Sequence, residues 1–255
     1  MLYESPAFRQ MESPDPFYLY NPDLQPQTST IVKAGMKTHF SREEEKPWFA
    51  ETRIGLGFFE NFIDHVIVPY EVYGDIFYRN ASSGTRTGIR INGSTEIFTG
   101  LDLEFDYSYS KCTYGDYTTI SIEEDSSGNV VQVPRDFSGN REPGFPAHDV
   151  AVSLSYKHAV ARWVSLFARA AYKGSGDFWV DDLNSAKTEF YNVFDLFAGM
   201  DLKAGNFMIL VSGGVRNLFD EVFVALPTLN SANYRFYNAG APRNYLLNAT
   251  ITYHF

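Results

Sequence analysis

The stretch LDLEFDYSYSKC, residues 101–112, sorts its side chains by parity: Leu101, Leu103, Phe105, Tyr107 and Tyr109 fall on one side, Asp102, Glu104, Asp106, Ser108 and Ser110 on the other. A period of two marks a strand with two chemically different faces. The second face is too charged for a dry core, because an unpaired buried carboxylate is strongly disfavoured. One face of this strand is therefore wet.

The same rhythm runs outward in both directions. AHDVAVSLSYKH (147–158) sets Val150, Val152, Leu154 and Tyr156 against Ala151, Ser153 and Ser155. WVSLFARAAY (163–172) places Val164, Leu166, Ala168, Ala170 and Tyr172 on one side, and NVFDLFAGMDL (192–202) does so with Phe194, Leu196, Ala198 and Met200. FMILVSGGVRNLF carries Phe207, Ile209, Val211 and Val215 before breaking at Asn217, and YLLNATITYHF (245–255) ends the chain in the same alternation. QTSTIVKAGMKTHF, WFAETRIGLGFFENF and TRTGIRINGSTEIF repeat it more weakly. About nine strands are predicted, each near the ~10 residues that a tilted strand needs to cross a bilayer.

The connections alternate in length. SREEEKP, FTG, HAVAR and KAGN read as tight turns, whereas the pieces around 65–84, 115–147, 176–188 and 220–242 read as long polar loops. Short turns at one end and long loops at the other are the usual form of an outer-membrane barrel. Trp48, Phe58, Phe59, Tyr107, Tyr109, Tyr114, Trp163, Tyr172, Phe178, Trp179, Tyr253 and Phe255 fall near strand ends, as interfacial girdles do. The expected fold is all-β: an antiparallel up-and-down transmembrane barrel, partial, with long extracellular loops and short periplasmic turns. No run approaches the eighteen or so apolar residues of a spanning helix.

Composition excludes several functions. A formal charge of -10 argues against nucleic acid, whose affinity comes from Lys and Arg neutralising phosphates. The single Cys112 forms no internal disulfide and belongs to no zinc pattern. His39, His65, His148, His158 and His254 stand singly, so no metal site is expected among them. There is no GxSxG, HExxH, P-loop or dinucleotide fingerprint, and neither enzyme activity nor a cofactor is expected. The acids Glu123-Glu124-Asp125 and Asp181-Asp182 are expected to be solvated loop charge, with calcium binding as the alternative.

NPDLQPQTSTIVKAGMK (21–37), IFYRNASSGTRTGIRINGS (76–94), DFSGNREPGFPAHDVAVSLSY (136–156), GGVRNLFDEVF (213–223) and GAPRNYLLNATITYHF (240–255) follow one another in the order used by TonB-dependent outer-membrane receptors. The chain resembles that family over essentially its whole length, and its ferric-siderophore or ferric-chelate branch most closely. In GGVRNLFDEVF, Asn217 is expected to organise the turn after the strand; Gly240 and Pro242 turn the returning loop before Arg243 opens the last strand.

The resemblance implies that residues 1–255 are the C-terminal part of a receptor barrel, without the signal peptide and plug of the complete proteins. It implies TonB-dependent active uptake of a ferric siderophore or similar metal chelate in the outer membrane of a Gram-negative cell. The implied partners are membrane lipid, the N-terminal strands and plug of the full receptor or a partner chain, the inner-membrane TonB complex through that plug, and the iron-chelate ligand. Phe255 would be the assembly signal. Ligand contacts are expected, by loop position, from Tyr73, Arg79, Arg86, Arg135, Arg141, Trp179, Tyr234, Arg235, Tyr237 and Arg243, since guanidinium groups bond carboxylates or catecholates while rings cover flat ligand faces. The other reading of a loop arginine is a partner for a neighbouring acid. A passive porin and a soluble β-sandwich binding module stand as alternative functions.

Overall fold

The computed structural model describes residues 24–42, 48–72, 75–124, 130–231 and 237–254. Its strands are β1 (Thr28–Ser41), β2 (Glu51–Val72), β3 (Asp75–Phe98), β4 (Leu101–Tyr114), β5 (Thr118–Glu124), β6 (Val130–Asp136), β7 (His148–Ala161), β8 (Val164–Ser175), β9 (Tyr191–Ala204), β10 (Phe207–Arg216), β11 (Val224–Pro227), β12 (Tyr237–Ala239) and β13 (Asn244–Tyr253). Nine of them form one antiparallel sheet in the order β1-β2-β3-β4-β7-β8-β9-β10-β13, while β5-β6 and β11-β12 are separate hairpins. This is an open, single-sheet segment of a barrel, with β1 and β13 at its edges. A sandwich would need a second sheet packed on its face, and this fold has none among the described residues.

Register carries the apolar parity from strand to strand. Tyr107 pairs with Val150, Phe105 with Val152 and Leu103 with Leu154. Tyr172 meets Phe194 and Leu166 meets Met200, then Ile209 meets Ile251 and Val211 meets Ala249. A slip of one residue would turn a strand's polar set onto this face, so the alternation itself fixes the register. The face is bare: Leu247 is 84% exposed, Tyr245 75% and Ile251 68%. Rings border it at both ends. Trp48, Phe98 and Tyr156 make a chain of contacts at the turn end, at 5.8 and 6.1 Å. At the loop end the Tyr107 hydroxyl bonds His148 Nδ1 at 2.9 Å, and Tyr172, Phe194 and Phe219 pack at 4.8 and 5.2 Å.

Four residues expected in the girdles lie elsewhere. Phe59 turns to the polar face, Tyr114 and Phe178 are buried at 3% and 8% exposure beneath the loops, and Trp179 belongs to the loop between β8 and β9. Phe59 belongs to a repeated arrangement in which a ring lies over the glycine opposite: Phe59 over Gly88, Phe167 over Gly199 and Phe197 over Gly214. A Cβ at Gly199 would stand 2.5 Å from both Phe167 Cζ and the Val211 carbonyl oxygen. The ring restores the packing that glycine lacks, and the pair holds register on a face with little else to bury.

The connections differ most from expectation at 65–84. Instead of a long polar loop, β2 and β3 continue as a hairpin to Val72 and Asp75. The ladder is interrupted where His65, with φ 55°, and Ser82 do not pair, the register being unchanged between Asp64–Ser83 and Val66–Ala81. Beyond this gap Val66, Val68 and Ala81 pack with Ile63, Tyr114, Tyr117 and Phe137 into the main buried apolar cluster. The 115–147 connection folds as the β5-β6 hairpin, and 220–242 contains β11-β12. HAVAR is mostly strand, since β7 runs to Ala161.

Candidate functional site

Two sites emerge on the loop end and the polar face. The first is a buried charge network. Asp182, 2% exposed, accepts hydrogen bonds from the Tyr114 and Tyr117 hydroxyls, both at 2.9 Å, and from Arg79 Nη2 at 3.3 Å. Arg79 Nε also donates to the Tyr117 hydroxyl oxygen at 2.6 Å, and its guanidinium lies 4.8 Å from the Tyr70 ring centroid. Burial, and then the Asp182 carboxylate, push the Tyr117 phenol up, against the opposing pull of Arg79. The phenol thus stays protonated and remains a donor.

Asp181 is also buried, at 8% exposure. Ser185 N–H and hydroxyl and the Ala186 N–H donate to its carboxylate at 2.6 to 3.1 Å. The two acids expected to be solvated are therefore internal anchors, because their donors come from chain folded over them rather than from water. Among the described residues no cluster of His, Cys, Asp or Glu is arranged to hold a metal ion.

Arginines expected to catch ligand are distributed unevenly. Arg79 is held in the Asp182 network, and Arg86 makes a two-pronged bond to Glu142, with its guanidinium 4.4 Å from the Phe145 ring. Arg141 is fixed through its backbone, donating to Asn184 Oδ1 and accepting from Asn184 Nδ2, both at 2.8 Å. Arg135 is half-buried on β6 opposite Thr119. Trp179 lies under Lys187, whose Nζ is 4.3 Å from the ring centroid and 2.8 Å from Asp177. Lys187 holds the Asp177 carboxyl below the usual carboxylate range. Arg243 donates its N–H to Asp220 at 2.7 Å and its Nη1 to the Leu218 carbonyl at 3.4 Å. Tyr73, Tyr234, Arg235 and Phe255 lie outside the described residues, as do the side chains of Glu123 and Glu124 and all of Asp125; Tyr237 is described only by its backbone pairing with Pro227.

The second site was not picked out by loop position. A hollow of about 510 Å³ opens on the polar face near the loop end, lined by Glu104, Asp106, Arg169, Lys173, Tyr191 and Phe223 with their neighbours. Parity puts Arg169 and Lys173 on this face of β8, opposite the apolar Ala168, Ala170 and Tyr172. Tyr191 and Phe223 stack above, with centroids 4.7 Å apart and planes 26° from parallel. The acids nearby are engaged: Arg90 donates to Asp106 at 2.7 to 3.1 Å, Ser153 to Glu104 at 3.2 Å, and the Asn217 N–H to Asp195 at 2.9 Å. Arg169 and Lys173 have no carboxylate in ion-pairing distance among the described residues. Two unpaired cations beside stacked rings suit a ligand that joins an anionic group to a flat one.

Asn217 positions the aromatic lid of this hollow. It is 2% exposed with φ 51°, a left-handed conformation that Asn tolerates better than most residues. Its amide accepts from the Glu221 N–H at 2.8 Å and donates to the Glu221 and Ala241 carbonyls at 2.8 and 3.1 Å. The turn expected from GGVRNLFDEVF is thus made by one side chain joining both arms of the loop.

Residues 3–218 match the family described as TonB dependent receptor-like, beta-barrel. No curated protein sequence matches the chain. Among solved structures, it is similar to BauA, the ferric preacinetobactin receptor of Acinetobacter baumannii, with a TM-score of 0.64 at 15% identity over 89% of this chain and 30% of that one. The ferric-catecholate import receptor Fiu of E. coli K12 gives a TM-score of 0.55 at 20% identity, covering 92% of this chain and 29% of that one. The copper transporter OprC gives 0.57 at 13% identity, covering 91% and 32%. At such identities the likeness is one of fold. The chain spans about three tenths of the length of these structures.

Proposed function

This chain belongs to the TonB-dependent receptor β-barrel family, and from that premise we propose that it forms part of the wall and mouth of an outer-membrane receptor for active uptake of a ferric siderophore or similar metal chelate. The carrying observation is the two-faced sheet: one continuous exposed apolar face bordered by rings, and behind it a polar face with a hollow at the loop end. Only an apolar medium suits the first face, because water would leave its Leu, Ile and Phe side chains exposed at about 25 cal/mol per Å² of apolar surface. Lipid fills that role, with the long connections outside the cell and the tight turns in the periplasm. Energy from the inner membrane would reach the barrel through a plug and TonB.

Arg169 and Lys173 hold the ligand's anionic oxygens in this reading, and Tyr191 and Phe223 cover its flat part. Arg79 and Arg86 act indirectly, since each already serves a carboxylate of this chain. Arg135, Arg141, Trp179 and Arg243 border the mouth and remain candidate contacts, together with Tyr73, Tyr234, Arg235 and Tyr237.

The decisive experiment compares uptake of radio-iron chelates by iron-starved cells with and without the gene, with an uncoupler arm. Energy-dependent uptake of at least one chelate is expected. Equal uptake by both strains for every chelate tried removes the iron reading, and uncoupler-resistant flux supports a passive channel instead.

A further inference from the structure

Asp182 joins stretches of chain that are remote in sequence. Besides the bonds from Arg79 on β3, Tyr114 on β4 and Tyr117, its backbone N–H donates to Asn230 Oδ1 at 2.8 Å, and its carbonyl accepts from Asn140 Nδ2 at 2.7 Å. Asn230 continues the connection: its N–H donates to the Val180 carbonyl at 2.9 Å and its Nδ2 to the Pro69 carbonyl on β2 at 2.8 Å. Asn230 sits at φ 53°, and the Leu229 side chain next to it fills the space that a Cβ at Gly144 would approach to 3.2 Å. Gly144 N–H in turn donates to the Trp179 carbonyl at 2.8 Å.

Apolar packing contributes little to holding these pieces together. Phe178 and Val180 form only a two-residue buried cluster, with Ala186 against it. The loop 176–188 is therefore fixed largely by polar bonds, about half of which involve Asp181 or Asp182. A buried carboxylate with every oxygen bonded holds a single geometry, because each partner would otherwise be left unsatisfied away from water.

We infer that Asp182 is the keystone of a rigid cap: it makes the connections 137–147 and 176–188 and the stretch 228–231 move as one body with the upper parts of β2, β3 and β4. Through Asn230 it also anchors the far end of the arm 217–231, whose near end is held by Asn217. That arm carries Phe223, so Asp182 is a positioning residue for the lid over the hollow, acting at a distance through Asn230. The meaning of the lid for uptake rests on the function proposed above; the mechanical coupling does not.

Hydrogen exchange read by mass spectrometry on the native protein in detergent micelles tests the coupling without ligand. In Asp182→Ala, peptides from 137–144, 178–188 and 218–231 are expected to exchange together, about tenfold faster than in wild type, while 193–202 in β9 keeps its rate. An increase confined to 178–188 overturns the inference. Should Asp182→Ala fail to fold, Tyr117→Phe and Asn230→Ala each remove part of the network, and the same three regions are expected to loosen together by about threefold; loosening of only the mutated segment overturns it. A Phe223→Trp probe gives a second readout. Its emission shifts to the red when Asp182→Ala is added if the arm lifts from the wall, and unchanged emission counts against the lid. Neither measurement involves a chelate, so failure of uptake and failure of the cap are separable.

Discussion

Arg86 and Glu142 meet through two parallel bonds, Nε to Oε2 at 2.8 Å and Nη2 to Oε1, and the Glu142 side chain is only 8% exposed. The pair ties the loop 137–147 to the polar face of β3. An arginine so engaged has little free capacity for a ligand anion.

Glu142→Ala should therefore injure folding rather than binding. It leaves Arg86 half-buried without its counter-charge, at a cost of about 3 kcal/mol, the lower end of the range for a broken buried pair. Arg86→Met combined with Glu142→Leu is expected to be much milder, since neither charge is then stranded. Thermal unfolding in detergent, followed by loss of the compact band on unheated gels, distinguishes the two outcomes.

Alkaline pH should act first on the cap. Tyr117 has its phenol raised by burial and by Asp182, so its contribution is complete below the unfolded value of about 10 and is lost as pH climbs through the higher folded value. Loosening of 115–119 and 178–188 is expected to begin above about pH 10. Hydrogen exchange across an alkaline series checks this; Tyr117→Phe should reduce the pH dependence there, and adding Tyr114→Phe, whose hydroxyl makes the same bond to Asp182, should remove most of what is left.

Gly199→Val tests the ring-over-glycine arrangement. Its Cβ meets both the Phe167 ring and the Val211 carbonyl oxygen at 2.5 Å, and the backbone oxygen cannot rotate away as a side chain can. A loss of about 1–3 kcal/mol is expected. Gly205→Asn, at a turn with φ 59° and open space around the site, should be nearly neutral by the same assay.

Lys173→Ala and Phe223→Ala address the hollow. Each is expected to weaken chelate binding by about tenfold, or 1.4 kcal/mol, with folding unchanged because Lys173 is exposed and Phe223 only half-buried. Fluorescence quenching on intact cells measures the affinity. Wild-type affinity in both variants would place the ligand elsewhere in the mouth.

The strand pattern was legible because the two faces differ in chemistry at every step. LDLEFDYSYSKC needs no tertiary information to separate Leu103 from Glu104. The piece 65–84 reads as a long polar loop by its Gly, Pro, Asp and Asn, yet Val66 and Val68 are buried at 1%. Their burial comes from Tyr117 and Phe137, residues of a different connection, which no local window contains. Asp182 was opaque for the same reason: its partners Arg79, Tyr114 and Asn140 lie 103, 68 and 42 residues away. Arg169 and Lys173 are a different case. The parity of WVSLFARAAY puts Arg169 on the polar face, but nothing local to a strand marks a cation as unpaired, because that depends on which carboxylates the neighbouring strands bring within reach.

The strand order has a consequence for closure. Each of the nine strands runs opposite to its neighbours, so β1 and β13 point the same way. Joining those two edges directly would introduce one parallel seam into an otherwise antiparallel ring, with slanted hydrogen bonds at that seam alone. A seamless cylinder containing this sheet must insert an odd number of strands between β13 and β1. Parity, which first separated Leu103 from Glu104 along one strand, thus also governs how many strands the circumference can hold.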